Sequence, residues 1–270
     1  ITWTVNDNSA LNNLSAAVTS TINITAVNDA PVVTAGATLS YTENAAAASI
    51  DNTITLNDLD TTLMTAATVS IASGFTTGDL LALTSQNGIT GSYNNSTGVL
   101  TLSGSASVAN YQTALRSVTF SSSSDNPTVN SNSRTVSWVV NDGASQNNLS
   151  AGVTSTINIT AVNDAPVATA GRIMAYTENA VAGVIDNTIT LSDLDNTQFS
   201  GATVTISSGL TTGDILAMTN QNGITATYTA ASGLLTLTGT ATVAQYETAL
   251  RSVTYFSSSD NPTASSASRT

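Results

Sequence analysis

Apolar and polar residues alternate in short stretches along most of the chain. Val136, Trp138 and Val140 share one face of one stretch, and Ile22 and Ile24 share one face of another. This period-two pattern is typical of β-strands with one buried and one exposed face. The stretches are rich in Thr and Val, which favour strands. The pattern therefore predicts many short, half-buried strands.

Turn sequences fall between the predicted strands. Asn87-Gly88, Asn95-Ser-Thr-Gly98 and Asp125-Asn-Pro127 combine residue types that favour tight turns. Many short strands joined by frequent turns indicate sandwich domains, so we expect an all-β fold.

One segment in each half has a different period. Apolar residues recur there at helical spacing after Ser107: Val108, Tyr111, Leu115 and Val118. In the second half, Thr242 and Gln245 have the spacing of a capping box. We expect one short helix in each half, packed against an edge or end of the sandwich.

The chain consists of two copies of one 135-residue unit, without insertion or deletion. Residues i and i+135 are identical at 90 of 135 positions, and Ile24–Pro31 returns unchanged as Ile159–Pro166. A unit of this length can bury its own core, so the period indicates tandem domains rather than solenoid repeats. The high identity indicates a tandem duplication.

The repeat predicts where domains begin and end. If one begins just after Pro31 and ends near Pro166, residues 31–165 form a complete repeat. Residues 1–30 would be the C-terminal strands of a preceding or partner-completed repeat, and residues 166–270 a body without its last strands. Unpaired strand edges are unfavourable. We therefore expect a member of a longer array, or a protomer completed head-to-tail by its neighbour.

The composition excludes several kinds of metal and catalytic site. The chain has 41% apolar residues, a net charge of −12, and no Cys or His. It therefore lacks thiolate and imidazole ligands for zinc or copper, a Cys nucleophile and an imidazole base. Negative charge repels nucleic acid and anionic membranes and attracts cations. No 18-residue apolar run predicts a membrane span in this stretch.

The chain resembles the cadherin-like tandem repeats of large bacterial surface proteins and adhesins, including repeats of the VCBS type. The resemblance covers both copies and implies Ig-like β-sandwiches. The segments that carry it are Val27-Asn-Asp-Ala-Pro31 and Val162-Asn-Asp-Ala-Pro166, Tyr41-Thr-Glu-Asn44 and Tyr176-Thr-Glu-Asn179, Asn57-Asp-Leu-Asp60 and Ser192-Asp-Leu-Asp195, and Trp3-Thr-Val-Asn-Asp7 and Trp138-Val-Val-Asn-Asp-Gly143.

In cadherins, the corresponding segments meet between successive domains and bind calcium, so the resemblance implies calcium ligands here. The first linker would use Asn28, Asp29, Asp58, Asp60 and Asp142. The second would use Asn163, Asp164, Asp193 and Asp195, joined by Glu43 from the preceding unit. Asp7 and Glu178 would serve linkers that this chain only half contains.

Elementary chemistry is compatible with those ligands. Calcium takes six to eight oxygen ligands, and converging carboxylates repel one another unless a cation neutralises them. Ala26, Ala30, Ala161 and Ala165 replace ligand positions of the cadherin linker, which favours one or two ions per linker over three. The alternative is that Asn-Asp-Ala-Pro forms only a turn with solvated carboxylates.

Other conspicuous residues have simpler interpretations. Asp79 and Asp214 follow Thr-Thr-Gly, which predicts an exposed turn. Trp3 and Trp138 fall on apolar strand faces, so we expect both to be core residues. The Asp-Leu-Asp pairs offer no cleft for glycoside hydrolysis.

The function expected from sequence is structural and non-enzymatic. We expect an extracellular, cell-surface stalk or fibre of sandwich domains, stiffened by calcium and contacting neighbouring repeats or copies of itself. The alternative is an adhesive module that binds a glycan or protein through its loops. The low aromatic content, 5%, argues against this alternative.

Overall fold

The computed structural model describes all 270 residues, which form two compact units, Ile1–Thr160 and Ala161–Thr270. Unit 1 has thirteen strands and one helix: β1 Thr2–Trp3, β2 Val18–Thr19, β3 Val32–Thr34, β4 Thr38–Thr42, β5 Ala48–Ser49, β6 Thr55–Asn57, β7 Leu63–Ser73, β8 Asp79–Ala82, β9 Thr90–Asn94, β10 Val99–Ser107, α1 Val108–Arg116, β11 Thr119–Ser122, β12 Ser133–Asn141 and β13 Val153–Thr160.

Unit 1 is built from antiparallel strands with one parallel pair. Its largest sheet has the order β4-β13-β12-β7-β10-β9, and the smaller sheets are β5-β11-β8, β3-β6 and β1-β2. The pair β13-β4 is parallel, with Ile159 opposite Tyr41. The remaining pairs are antiparallel, as expected when short turns join consecutive strands. The predicted all-β class is confirmed.

One apolar core lies between the sheets of unit 1. Trp138 of the six-stranded sheet is 0% exposed, and Leu81 and Phe120 of the three-stranded sheet belong to the same cluster. Tyr41 meets Phe120 edge to face, with ring centroids 5.0 Å apart. The alternation predicted for β12 is confirmed, because every second residue from Arg134 to Val140 is buried.

The predicted helices are present. The Ser107 side chain accepts a hydrogen bond from the Asn110 N–H at the start of α1, and Tyr111 and Leu115 are buried. In unit 2 the Thr242–Gln245 capping box is formed in full. Capping satisfies backbone N–H groups that a helix start leaves without partners. Neither helix is long and apolar enough to cross a lipid bilayer.

The first strands form a hairpin whose apolar side chains are exposed. Trp3 pairs across the hairpin with Val18. Trp3 is 55% exposed, whereas its counterpart Trp138 is fully buried. The prediction that Trp3 is a core residue is therefore wrong: β1 and β2 form a two-stranded sheet of their own, and no larger sheet covers the indole.

Unit 2 repeats much of this arrangement with eight strands and one helix. They are β14 Val167–Thr169, β15 Gly183–Val184, β16 Thr190–Ser192, β17 Gln198–Thr205, β18 Asp214–Ala217, β19 Thr225–Thr229, β20 Leu234–Thr242, α2 Val243–Arg251 and β21 Thr254–Ser257. The sheets are β14-β16, β15-β21-β18 and β17-β20-β19.

Unit 2 differs from unit 1 at the edge of its largest sheet. In unit 1, β7 pairs with both β10 and β12, whereas β17 pairs with β20 alone. Residues 173–177 correspond to β4 but form no strand. Within residues 161–270 no segment takes the place of β12 and β13, and β4 depends on β13 for its backbone hydrogen bonds.

Candidate functional site

The linker of unit 1 brings several predicted ligands together. The Asn28 side-chain amide donates to Asp142 Oδ2 over 2.9 Å, and Asn147 Nδ2 donates to Asn28 O over 2.9 Å. The Asp29 N–H donates to Asp60 Oδ2. The linker at Asn28-Asp29 is thus held to the end of β12 on one side and to the Asp-Leu-Asp segment, residues 58–60, on the other.

Asp58 has one carboxylate oxygen in use and one without a partner. Its Oδ1 accepts hydrogen bonds from the N–H groups of Asp60 and Thr61, each over 2.9 Å, which closes a tight turn. Its Oδ2 is buried and has no hydrogen-bond partner. A buried carboxylate oxygen without a donor is costly, so this atom is where a cation would be most stabilising.

Unit 2 repeats part of this arrangement. The Asp164 N–H donates to Asp195 Oδ2 over 2.5 Å. Asp193 Oδ1 accepts from the N–H groups of Asp195 and Asn196, over 3.0 and 2.7 Å. Asn163 Oδ1 accepts from the Asn196 side chain over 2.7 Å. The two linkers therefore share the contact of their aspartate N–H with the Asp-Leu-Asp segment and the turn that this segment closes, whereas Asn28 and Asn163 have different side-chain partners.

The other three predicted ligands lie in different surroundings. Glu43 is buried in unit 1, where its N–H donates to Thr160 O over 2.9 Å. Glu178 is exposed in unit 2. Asp7 lies at the tip of the N-terminal hairpin, where its carboxylate accepts from the Ser9 N–H over 3.0 Å. Their role as ligands stays a prediction.

The donor set suits calcium in its chemistry but is not closed around an ion. All candidate ligands are carboxylate or amide oxygens, which calcium prefers. No group of three or more acidic side chains is arranged to hold a metal ion. The structure instead joins the candidates in pairs, such as Asn28 with Asp142 and Asp29 with Asp60.

Unit 1 contains a buried ion pair that the sequence patterns did not predict. Arg134 Nε lies 2.6 Å from Asp79 Oδ2, and both side chains are fully buried. Arg134 also donates to the carbonyls of Ser131 and Pro127, over 2.7 and 2.6 Å. The prediction that Asp79 sits in an exposed turn is wrong, because its carboxylate points inward to the guanidinium and to the Thr76 N–H.

Unit 2 has the equivalent pair, and Asp214 is likewise buried rather than exposed. Arg269 Nε lies 2.5 Å from Asp214 Oδ2, with the arginine side chain 14% exposed. The Tyr255 hydroxyl donates to Asp214 Oδ1 over 2.7 Å. Burial raises the pKa of Asp214, but the hydrogen bonds from Arg269 and Tyr255 outweigh it, so this pKa lies below its usual value.

A buried hydrogen-bonded chain connects Trp138 to Asp51. The Trp138 indole N–H donates to Ser155 Oγ over 3.0 Å, and the Ser155 hydroxyl donates to Asp51 Oδ2 over 2.8 Å. The same oxygen accepts from the N–H groups of Gly36 and Ala37, each over 3.0 Å. This network fixes the turn before β4 to the centre of the six-stranded sheet.

The network lowers the pKa of Asp51. Burial acts in the opposite direction and raises it, but hydrogen bonds from Thr53, Gly36, Ala37 and Ser155 outweigh burial. These donors all stabilise the charged carboxylate.

We expect unit 1 to lose stability as the pH falls below about 4. The pKa of Asp51 is lower in the folded protein than in the unfolded chain, so the Asp51 carboxylate stabilises the fold fully above its unfolded-state pKa, and this stabilisation is lost as the pH falls below it. The unfolding midpoint, followed by Trp138 fluorescence in a Trp3→Phe background, should decrease from pH 6 to pH 2. Asp51→Asn should be less stable at pH 6 and show a flatter profile. Parallel profiles for the two proteins would contradict this assignment.

Comparison with known proteins gives one sequence relative of note and no matching family model. The chain is 39% identical over 113 residues to halomucin of Haloquadratum walsbyi. The match covers 40% of this chain and 1% of halomucin, which is therefore a far longer protein.

Several solved cadherin tandems share a limited likeness with the chain. The structure titled PcdhgB3 EC1-4 aligns with 80% of this chain at 17% identity and a TM-score of 0.29. Cadherin domains 1–4 of protocadherin gamma B7 align with 79% of this chain at 10% identity and a TM-score of 0.28. Domains 1–5 of protocadherin gamma B2 align with 80% of it at 13% identity and a TM-score of 0.28. The chain spans 42%, 42% and 34% of these proteins. Such low TM-scores do not establish a common arrangement, and the fold assignment rests on the strand pairing described above.

Proposed function

We propose that the chain is a structural repeat of an extracellular stalk or fibre, in which β-sandwich units are joined end to end and calcium stiffens the linkers. The observation that carries the proposal is a contact that recurs in both linkers. The Asp29 N–H meets Asp60 in one unit as the Asp164 N–H meets Asp195 in the other. A rod assembled from repeats needs equivalent joints, and an enzyme does not.

Calcium would be held by the side chains that already approach each linker. In unit 1 these are Asn28, Asp29, Asp58, Asp60 and Asp142, and in unit 2 they are Asn163, Asp164, Asp193 and Asp195. The unpartnered Asp58 Oδ2 supports this assignment because it is a buried hard oxygen without a donor. A bound cation would neutralise the acidic side chains and restrict the linker, which lengthens and stiffens a tandem array.

Surroundings outside the cell would suit such sites. Extracellular modules bind calcium with Kd of about 10⁻⁴–10⁻³ M, so millimolar calcium would keep the sites occupied. The match to part of a far longer protein agrees with a repeat in a large surface protein. The net charge of −12 favours association with cations.

Calcium should raise the thermal stability of the chain. At 10 mM, a site of this affinity adds about 1.4–2.7 kcal/mol to the free energy of unfolding. Calorimetry in calcium, in magnesium and in chelator should show a higher midpoint in calcium alone, and small-angle scattering should show a larger maximum dimension.

A conservative variant locates the effect. Asp58→Asn keeps the Oδ1 acceptor that closes the turn but replaces Oδ2 with an amide nitrogen, so it should reduce the calcium response of unit 1. Asp125→Asn, in an exposed loop, is the matched control and should respond like the wild type. The calcium assignment fails if the midpoint is the same in calcium and chelator, or if both variants respond equally.

A further inference from the structure

Six Asn-X-Ser/Thr sequences, the acceptor sequence for N-linked glycans, occur in the chain. Four of them lie in the sandwich of residues 31–160, and Asn13 and Asn23 are the copies of two of these four. In a chain this rich in Asn, Ser and Thr, such triplets also arise by chance. Which of them can accept a glycan therefore depends on how the fold presents the asparagine and the hydroxyl residue that follows it. The four sites of the sandwich begin at Asn94, Asn95, Asn148 and Asn158.

Asn148 and Asn158 lie where the folded sandwich restricts access. Asn148 is half-buried, and the hydroxyl of Ser150, two residues later, is buried and accepts from the Val140 N–H over 3.0 Å. Asn158 lies within β13, which pairs with β12 on one side and with β4 on the other. A transferase has to enclose the acceptor segment, and a strand inside a sheet cannot leave its neighbours without losing its backbone hydrogen bonds. The fold therefore disfavours both sites.

The turn between β9 and β10 presents its acceptor sequence to solvent. Asn95, Ser96 and Thr97 are all exposed at the tip of this hairpin. The Asn95 side chain makes one long contact, from the Ser96 hydroxyl to its Oδ1 over 3.4 Å, which leaves the amide nitrogen free. The turn is closed by other groups, because the Thr97 and Gly98 N–H groups donate to Asn94 O over 3.3 and 3.0 Å.

The overlapping sequence that begins at Asn94 is less accessible. Asn94 is the last residue of β9 and pairs with Val99. Its Oδ1 accepts from the Ser96 N–H over 2.9 Å, so this carboxamide is held against the turn. The Asn95 carboxamide, by contrast, extends into solvent. The structure therefore favours Asn95 over Asn94.

Unit 2 shows that the turn does not need these asparagines in order to form. Its counterpart is Thr229-Ala-Ala-Ser-Gly233, and no acceptor sequence begins within residues 161–270. The Ser232 N–H donates to Thr229 O over 3.2 Å, and the φ of Gly233 is 63°, close to the 69° of Gly98. An alanine in place of Asn95 thus leaves the turn conformation unchanged.

We propose that Asn95 is an acceptor site for an N-linked glycan. The proposal rests on the extracellular location that belongs to the proposed function, because such glycans are added to exported proteins. The co-substrate is a sugar chain joined to a lipid through phosphate, which an oligosaccharyltransferase brings to the turn. Thr97 is the hydroxyl residue that completes the acceptor sequence.

The transfer forms one bond and breaks one. Asn95 Nδ2 forms a bond to C1 of the first sugar, and the bond from C1 to the phosphate oxygen breaks. The lipid phosphate leaves with the bonding electron pair, and Nδ2 loses one proton to a basic group of the transferase. The Thr97 hydroxyl contacts the enzyme and is not modified.

A glycan on Asn95 would stand at one end of β9, which is an edge strand of the largest sheet of unit 1. β9 pairs with β10 alone, so its other backbone edge is open. Open edges favour pairing between molecules, and a bulky hydrated group beside an edge opposes it. The glycan would therefore hinder neighbouring stalks from joining through β9.

Transfer in vitro tests the site on the folded full-length chain. The chain is purified from a host without N-glycosylation and incubated with an oligosaccharyltransferase that recognises Asn-X-Ser/Thr and with its lipid-linked oligosaccharide. Mass spectrometry of the glycopeptides should locate the glycan on Asn95 and find none on Asn148 or Asn158. Synthetic peptides of residues 92–100, 145–153 and 155–163 are the controls, and all three should be modified, because the fold alone protects the last two.

The comparison of chain and peptides decides the proposal. An unmodified Asn95 in the folded chain, under conditions where the peptide of residues 92–100 is modified, overturns it. Equal transfer to Asn95 and Asn158 in the folded chain also overturns it. Transfer needs neither the calcium sites nor a tandem array, so its failure is distinguishable from a failure of the proposed stalk.

Variants of the two turns locate the acceptor. Thr97→Val removes the hydroxyl and should abolish transfer to Asn95, whereas Thr97→Ser should retain it. Ala230→Asn creates an acceptor sequence in the equivalent turn of unit 2, with Ser232 as its hydroxyl residue, and should add a glycan there. A glycan that persists on this turn in Thr97→Val overturns the assignment to Asn95. An unmodified unit 2 in Ala230→Asn contradicts the argument that exposure in this turn makes the site.

Discussion

Replacing Arg134 with methionine should lower the free energy of unfolding of unit 1 by about 3–5 kcal/mol. The substitution leaves Asp79 as a fully buried carboxylate without its counter-ion, and it removes hydrogen bonds to the Ser131 and Pro127 carbonyls. An unpaired buried charge is far more costly than a lost surface ion pair. Urea unfolding followed by Trp138 fluorescence, in a Trp3→Phe background, measures the change.

Two further variants test the reason for this loss. Asp79→Leu combined with Arg134→Met should recover part of the lost stability, because no uncompensated charge remains buried. Arg269→Met in unit 2 should cost less, since the Arg269 side chain is partly exposed and Asp214 keeps the Tyr255 hydroxyl as a donor. A loss below about 1 kcal/mol for Arg134→Met would mean that water replaces the guanidinium.

The features that sequence predicted well are those that neighbouring residues determine. The helix at Val108–Arg116 follows from apolar spacing and a serine cap within ten residues of chain. The turn at Asn87-Gly88 follows from two residues that adopt positive φ, 51° and 78°. Alternation in β12 correctly assigned Trp138 to the core. None of these required knowledge of distant contacts.

The ion pair of Arg134 and Asp79 shows why other features were missed. The two residues are 55 positions apart, and their contact depends on how the sheets pack. A signal was nevertheless present. Arg134 has the same parity as Val136 and Trp138, which places it on the buried face of β12. A buried arginine requires an acidic partner, and both members of the pair recur at i+135 in a chain with few charges.

The linkers combine contacts that follow from local sequence with contacts that depend on distant residues. Their identical sequence is matched by one identical contact, Asp29–Asp60 and Asp164–Asp195, whereas the partners of Asn28 and Asn163 differ. The arrangement of a calcium site depends on more than these pairs, because several carboxylates must converge against their mutual repulsion. The ion itself supplies the energy for that convergence, so the ligand set stays a prediction until calcium is added.

Trp3 and Trp138 show that the same local sequence can have opposite environments. Trp138→Ala should lower the free energy of unfolding by about 3–5 kcal/mol, because it empties the centre of the core of unit 1 and breaks the indole hydrogen bond to Ser155. Trp3→Ala should change it by less than about 0.5 kcal/mol, because the Trp3 indole is already half exposed. Scanning calorimetry of both variants measures the difference. Equal losses would contradict the structure of the N-terminal hairpin, since a large cost at Trp3 requires a core that covers it within a single chain.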